Sequence, residues 1–190
     1  MGCVCKKYTN YGSTSLKYAL TGVHGTGKTT LINKIIELDL LPGYEISTNL
    51  TRKLREQGYK ISEHGDDATQ LAIIKIHKDN IRYENIIMDR CALDCLVYTE
   101  YLYQHHKIGP QTFNHVHFEA MNCIGSYSKI FQLVPEFDLE DDGVRPADNE
   151  FQAEIADIFN HTISMHRLNV VPLTGTVEQR IEQFKQTLGI

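Results

Sequence analysis

A chain of 190 residues, 42% of them hydrophobic, is long enough to bury one core and too short for two ordinary domains. The formal net charge of −5 argues against non-specific binding along a nucleic-acid backbone. No apolar run approaches the roughly 20 residues that a membrane helix needs. Five cysteines without a signal peptide favour reduced thiols and a cytoplasmic location over a disulfide framework. These properties predict a soluble enzyme that acts on a small molecule.

Residues 1–15 precede the first apolar segment and predict a flexible leader. Gly2, Cys3 and Cys5 match the acylation sites of a dually lipidated N terminus, but Lys6 stands where that pattern has Ser or Thr. We therefore expect no membrane anchor. Residues 16–190 are expected to form a single domain.

Strands and helices are predicted to alternate along this domain. Apolar residues at helical spacing indicate the helices, and short runs that are apolar throughout indicate strands buried on both faces. Such an alternation predicts an α/β fold with a parallel sheet and right-handed crossovers. In chain order, the predicted elements are strand 16–20, helix 29–40, strand 44–48, helices 49–57 and 67–82, strand 86–88, helices 94–105 and 111–124, strand 129–134, helix 149–165, strand 168–173 and helix 176–188.

A glycine-rich loop, Gly22-Val-His-Gly-Thr-Gly-Lys-Thr29, joins the first predicted strand to the first helix. Its glycines allow consecutive amides to point at phosphate oxygens, and the helix N terminus adds partial positive charge. Lys28 is expected to reach the β- and γ-phosphates, and the Thr29 hydroxyl to bind Mg²⁺. The cofactors predicted are thus ATP and Mg²⁺. The residues predicted to bind ATP are Gly22, His24, Gly25, Thr26, Gly27, Lys28, Thr29 and Thr30.

Asp89 and Arg90 follow the apolar run Ile86-Ile-Met88, at the strand end where open α/β sheets bind ligands. Asp89 could hold Mg²⁺ through water, or could be the base that accepts a proton from a substrate hydroxyl. Arg90 suits the neutralisation of a phosphate, although a purely structural pair with Asp89 is the alternative. Asp94, one helical turn later, either orients Arg90 or caps the helix.

Arg145 lies in an acidic stretch that contains Gly and Pro, after the fourth predicted strand. Such a stretch suits a hinged flap, from which Arg145 could close over the transferring phosphate. The alternative is an exposed loop arginine.

Two further side chains are candidates for contacting a substrate. Arg52 could bind a phosphate or carboxylate of the acceptor, or could simply be exposed. Gln70 could pair with the edge of a nucleobase, or belong to the polar surface. Tyr98 and Tyr101 are predicted to belong to a helix packing face.

Three stretches in this order, 22–30, 86–99 and 134–151, resemble the P-loop nucleoside and nucleotide kinase superfamily. The likeness is greatest to phage and bacterial ATPase/kinase proteins similar to the ribosylnicotinamide kinase domain, and it extends to thymidylate kinases. It implies a three-layer fold with a five-stranded parallel sheet in the order 2-3-1-4-5 and a short lid at about 136–150. It also implies that Asp89 acts at the acceptor hydroxyl or at Mg²⁺ and that Arg90 and the lid residue Arg145 contact phosphate. The adenine would lie against Gly175, Thr176 and Val177.

The function that these features predict is ATP-dependent transfer of the γ-phosphate to a nucleoside or (deoxy)nucleoside monophosphate. A ribosylnicotinamide-type kinase is the alternative within this class. An alternative from another class is a P-loop ATPase that acts as a switch or on nucleic acid, including a kinase for a modified base in DNA. The partner expected is a small nucleoside or nucleotide rather than a membrane, and the oligomeric state, a homodimer included, stays open.

Overall fold

A parallel sheet of five strands, in the order β2-β3-β1-β4-β5, forms the centre of the fold. The computed structural model of the chain describes residues 15–135 and 149–190. The predicted leader with Gly2, Cys3 and Cys5, and nearly all of the predicted lid with Arg145, lie outside the described residues. The strands are β1 (Leu16–Thr21), β2 (Glu45–Ser47), β3 (Asn85–Asp89), β4 (Lys129–Leu133) and β5 (Val170–Leu173).

Helices connect and cover these strands. None of those in the described ranges is both long and apolar enough to cross a membrane. A short 3-10 helix also forms at Ser62–His64. The α-helices are α1 (Lys28–Glu37), α2 (Leu50–Glu56), α3 (Asp67–Asn80), α4 (Ala92–Gln104), α5 (Pro110–Ile124), α6 (Asn149–Met165) and α7 (Val177–Leu188).

The predicted α/β fold and strand order are confirmed, and the differences are at the ends of elements. Helix α1 ends at Glu37 instead of residue 40, because Asp39 adopts a left-handed conformation with φ 48° that interrupts the helix. Strand β3 runs on to Asp89, so this carboxylate belongs to the strand itself. The last helix begins with a capping box, in which the Thr176 side chain accepts a hydrogen bond from the Gln179 amide.

Two separate cores lie on the two faces of the sheet. Successive residues of a strand point to opposite faces, so Ala19 packs into one core while Tyr18 and Leu20 pack into the other. Helices α1 and α7 contribute Leu31 and Phe184 to the second core. Helices α3, α4, α5 and α6 cover the opposite face. The result is a three-layer arrangement with helices on both sides.

The pairing of β1 with β3 determines which loops meet at the edge of the sheet. Leu20 stands opposite Asp89 in the parallel register, and the Arg90 amide donates to the Leu20 carbonyl at 3.0 Å. The loop after β1 and the residues after β3 therefore leave the sheet side by side. Carboxyl ends of neighbouring parallel strands are where such sheets bind ligands.

Gly22 is required by the close approach of β4. A Cβ at this position would lie 2.5 Å from the Leu133 carbonyl oxygen, and the backbone has φ +130°, which other residues rarely adopt. Gly43 also has a positive φ, +81°, but nothing lies within 4 Å of a Cβ added there.

We expect Gly22→Ala to destabilise the fold by about 2 to 4 kcal/mol, because it combines a backbone clash with backbone strain. Gly43→Ala is the matched control and should cost about 1 kcal/mol, from strain alone. Urea unfolding of both variants measures the difference. Equal losses would show that the contact between Gly22 and β4 does not constrain the loop.

Candidate active site

The glycine loop, residues 22–29, connects β1 to the first turn of α1. Gly27 adopts a left-handed conformation with φ 84°, which lets the chain enter α1 at Lys28. The first main-chain hydrogen bond of the helix runs from the Leu31 amide to the Gly27 carbonyl, at 2.9 Å. A helix leaves the amides ahead of this bond, such as those of Thr29 and Thr30, for an external acceptor. This end of α1 is suited to bind an anion.

The Lys28 ammonium lies against the loop and is only 5% exposed. Its Nζ donates to the carbonyl oxygens of Gly22 at 2.8 Å and Val23 at 2.5 Å. These acceptors are uncharged, whereas charge-assisted bonds to phosphate are about twice as strong as neutral ones. A bound triphosphate would therefore compete well for this ammonium.

Thr29 and Asp89 bring a hydroxyl and a carboxylate together beside the loop. Thr29 Oγ1 donates to Asp89 Oδ2 at 3.0 Å, and Asp89 is buried. Mg²⁺ prefers oxygen ligands and usually keeps several waters, so this pair fits the ion. Within residues 15–135 and 149–190, no group of three or more His, Cys, Asp or Glu could hold a metal. Mg²⁺ held by Thr29 and Asp89 would take its other ligands from water and phosphate oxygens, as is usual in phosphoryl-transfer sites.

Arg90 turns the chain sharply after β3. Its φ of 80° is unusual for a residue with a side chain. The guanidinium donates to Asp94 Oδ1 at 3.2 Å, and its Cζ lies 5.7 Å from the centre of the Tyr98 ring. Burial opposes the charge of Arg90, but Tyr98 and the neighbouring carboxylates outweigh it, so the pKa of Arg90 is raised. Arg90 is thus a fixed, permanent cation beside the glycine loop.

Asp94 performs both of the roles that the sequence left open. Its carboxylate binds Arg90, and Oδ2 also accepts from the Cys91 amide at 3.0 Å, which caps α4. A third bond comes from the Thr21 hydroxyl at the end of β1, at 2.8 Å. These contacts fix the orientation of Arg90 relative to the glycine loop.

A pocket opens next to Arg90. We call it the α3–α4 pocket, after the helices that supply most of its walls. The space between its atoms, open solvent included, is about 440 Å³. Side chains that line it include Thr51, Gln70, Ile73, His77, Arg90, Asp94 and Tyr98.

Of the predicted substrate residues, the structure brings Gln70 and Asp94 into the pocket wall. Gln70 is only 2% exposed, and its Oε1 accepts from the Thr99 hydroxyl at 2.9 Å, so the amide is fixed. Arg52 is exposed and does not line the pocket, although its neighbour Thr51 does. A role for Arg52 in binding the acceptor stays a prediction.

The loop predicted to lie against adenine leads into α7, which contacts the glycine loop. Arg180, in the first turn of α7, donates from Nη1 to the Thr26 carbonyl at 2.6 Å and is 3% exposed. Gly175, Thr176 and Val177 precede this contact by a few residues. Sequence reasoning missed Arg180, because the contact joins residues 154 positions apart and has no local signal.

Helix α6 also reaches the glycine loop, through His24. The His24 ring stacks on Phe151 with centroids 5.3 Å apart, and the His24 carbonyl accepts from Gln152 Nε2 at 2.9 Å. His24 Nδ1 lies 3.3 Å from the Tyr98 hydroxyl. Tyr98 was predicted as a packing residue. It is buried, but it also links the glycine loop to the α3–α4 pocket.

His77 also lines the pocket, and the sequence analysis did not single it out. It is 2% exposed, and burial, together with the charge of Arg90, lowers its pKa to about 4. It is therefore uncharged near pH 7. The helical spacing of Gln70, Ile73 and His77 was a usable signal, since it puts all three on one side of α3.

Together, the fold and this site define a P-loop nucleotide-binding protein. A family model described as an AAA domain matches residues 17–180, so the chain belongs to this AAA-domain family. A search of curated proteins found no significant match.

Solved structures of kinases share the fold. NadR in complex with NR superimposes with a TM-score of 0.72 at 18% identity, over 93% of this chain and 52% of that one. The chain thus spans about half the length of NadR. Deoxyadenosine kinase from M. mycoides gives 0.67 at 18% identity, covering 92% and 98% of the two chains. Thymidylate kinase from Candida albicans gives 0.60 at 18%, covering 93% and 92%. The predicted relation to the P-loop nucleoside and nucleotide kinase superfamily is confirmed at the level of the fold.

The buried neutral His77 should make stability depend on pH. An unfolded histidine has a pKa near 6.5, whereas folded His77 has one of about 4, so between these values the unfolded state binds the extra proton. The free energy of unfolding should therefore fall by about 2 to 3 kcal/mol as pH drops from 7.5 to 4.5.

Urea unfolding at the two pH values tests this expectation. In His77→Gln, this part of the pH dependence of the free energy of unfolding should be absent. In His115→Gln, at an exposed position on α5, it should be retained. The same slope in His77→Gln as in the wild type would contradict the assignment.

Proposed function

We propose that this protein is an ATP-dependent kinase that transfers the γ-phosphate to a nucleoside or a (deoxy)nucleoside monophosphate. The observation that carries the proposal is the position of the α3–α4 pocket. It shares Arg90 with the surroundings of the glycine loop, so an acceptor in the pocket would face a triphosphate on the loop. A protein that only hydrolyses ATP has no need of a second ligand pocket there.

In this proposal the chain contributes position and charge, which is what phosphoryl transfer requires. Lys28 and the first turn of α1 hold the β- and γ-phosphates, and Arg90 offsets the charge that develops during transfer. The acceptor oxygen attacks the γ-phosphorus while the bond to the ADP oxygen breaks. In a nucleoside this oxygen is a hydroxyl that loses its proton, and in a monophosphate it is a phosphate oxygen. Asp89 either takes that proton or holds Mg²⁺ with Thr29, and Mg²⁺ would supply further positive charge.

The ligands and names of the structural neighbours support both kinds of acceptor. Deoxyadenosine kinase was solved with dCMP and dCDP as products, and thymidylate kinase bears the name of a nucleotide kinase. NadR was solved with NR, and also with NAD and AMP-PNP, which favours a ribosylnicotinamide-type kinase as the narrower alternative. We propose ATP as the phosphate donor and the cytoplasm as the location.

Two arginines complete the proposed site. Arg52 would contact a phosphate on the acceptor, because it neighbours the pocket residue Thr51 on α2. Arg145 would act as the lid arginine over the transferring phosphate. The adenine of ATP would lie against Gly175, Thr176 and Val177, since α7 contacts the glycine loop through Arg180.

The rival function is an ATPase that drives a partner or acts on nucleic acid. The AAA-domain description of the family is compatible with it. The two functions differ in what stimulates turnover. A kinase needs a small acceptor and forms a phosphorylated product, whereas the rival responds to a macromolecule and releases inorganic phosphate.

A coupled ADP-release screen across nucleosides, their monophosphates and nicotinamide riboside should find an acceptor that stimulates turnover. Lys28→Ala should lower the stimulated rate at least about 100-fold even at saturating ATP, because the charge on the γ-phosphate is lost. Lys34→Ala is the matched control, since Lys34 lies on the same helix and forms an ion pair with surface Glu37. It should leave the rate unchanged.

The kinase proposal fails if no acceptor raises turnover above slow hydrolysis. Stimulation by DNA or RNA, with release of inorganic phosphate, would support the rival function instead. Full activity of Lys28→Ala would contradict the role of the glycine loop.

A further inference from the structure

One side of α3 forms a wall of the α3–α4 pocket with a polar, apolar, polar order of side chains. Gln70, Ile73 and His77 are spaced three and four residues apart, which puts them on one side of the helix. Gln70 and His77 are separated by about 10 Å along the helix axis. The two polar residues therefore stand toward opposite ends of the pocket wall.

The His77 imidazole has a polar atom whose hydrogen bonding is incomplete. Nδ1 is fully buried and has no hydrogen-bond partner in the described ranges, 15–135 and 149–190. Buried polar atoms nearly always have partners, and a missing one costs about 1 to 3 kcal/mol. Nδ1 itself is covered by protein atoms, so a ligand in the pocket meets the part of the His77 ring that lines it.

The charge state of His77 limits what kind of ligand it can bind. Burial and the nearby Arg90 guanidinium disfavour protonation, and this is reflected in its lowered pKa. A neutral imidazole offers one N–H donor and one acceptor nitrogen. It can therefore hydrogen-bond an uncharged polar group, but it cannot neutralise a phosphate.

Contacts with α4 and Arg90 distinguish the two polar residues of this wall. Gln70 bonds Thr99, in the second turn of α4, and approaches Cys95, in its first turn. His77 is instead close enough to Arg90, which precedes α4, for the guanidinium charge to lower its pKa. Of the two polar residues of this wall, His77 is therefore the one on which Arg90 acts.

We propose that His77 is a specificity-determining residue of the α3–α4 pocket, whose uncharged imidazole hydrogen-bonds a neutral polar group of a nucleoside acceptor close to Arg90. That group is a sugar hydroxyl or a ring heteroatom. The inference rests on the proposed kinase function for the identity of the acceptor. The contact itself depends only on the pocket.

Isothermal titration of the full chain without ATP tests the contact directly. The probes are adenosine, guanosine, cytidine, uridine and thymidine, with 2′-deoxy and 3′-deoxy analogues and the 5′-monophosphates. For the nucleoside that binds best, His77→Leu should raise Kd about 10-fold, because one hydrogen bond is lost and a polar group of the ligand is left unpaired. His77→Gln retains hydrogen-bonding groups and should stay within about 3-fold. The control, His115→Leu on the surface of α5, should bind like the wild type.

The analogues identify the group that His77 contacts. An analogue that lacks the contacted group should bind to the wild type about as weakly as the complete nucleoside binds to His77→Leu. The same analogue should bind to His77→Leu only slightly more weakly than the complete nucleoside does. An effect of the deoxy analogues assigns a sugar hydroxyl. An effect confined to changes in the base assigns a ring heteroatom.

A spectroscopic measurement on the wild type covers the case in which His77→Leu does not fold. The imidazole ¹⁵N resonances of His77, assigned by their loss in His77→Gln, should shift when the best nucleoside is added. The resonances of His115 should not move. Shifts in neither histidine, with the nucleoside bound, would overturn the proposal.

The remaining outcomes separate this inference from the kinase proposal. Unchanged nucleoside binding by His77→Leu overturns the role of His77 even if ADP is released. If nucleoside binding depends on His77 but no phosphate is transferred, the kinase proposal is overturned and the inferred contact with His77 stands. The inference is also overturned if no nucleoside binds. It is likewise overturned if every monophosphate binds more tightly than its nucleoside and this gain in affinity is lost in His77→Leu.

Discussion

The buried carboxylate of Asp94 is the contact on which the arrangement of the site depends. It joins the end of β1, the start of α4 and the Arg90 guanidinium through three hydrogen bonds. Burying a carboxylate is costly unless it is paired and hydrogen-bonded, and here each partner is a donor with good geometry. Removal of Asp94 would therefore leave a buried cation, an uncapped helix and an unpaired hydroxyl at once. The glycine loop and the α3–α4 pocket keep their relative positions because both are attached to this carboxylate.

The other links to the glycine loop come from distant parts of the chain. Arg180 approaches it from α7, and His24 packs on Phe151 of α6. Both helices adjoin segments that are expected to respond to a nucleotide, the loop at 175–177 and the predicted lid. Such long-range contacts explain why a short glycine motif needs a whole domain to hold it in place.

The sequence was sufficient to predict the features that depend on local pattern. The glycine loop and the strand that precedes Asp89 each lie within a few consecutive residues, and the structure contains both. Helical spacing puts His77 on one side of α3 but does not show the pocket, and Arg180 has no local signal. Both roles arise only when α3 packs beside α4 and α7 beside the loop. Gln70 shows the same limit, since the sequence could not distinguish a buried pocket residue from a surface one. Sheet order came from the family resemblance, as no local pattern encodes it.

Arg90 shows how local strain and function are connected in this protein. A left-handed conformation costs a residue with a side chain roughly 1 to 2 kcal/mol, and glycine would avoid that cost. The chain needs such a turn here, because β3 ends at Asp89 and α4 begins only at Ala92. The ion pair with Asp94 and the contact with Tyr98 offset the strain and fix the guanidinium between the two proposed ligands. Glycine could make the same turn but would supply no charge, so in the proposed kinase the strained arginine provides both the turn and the cation.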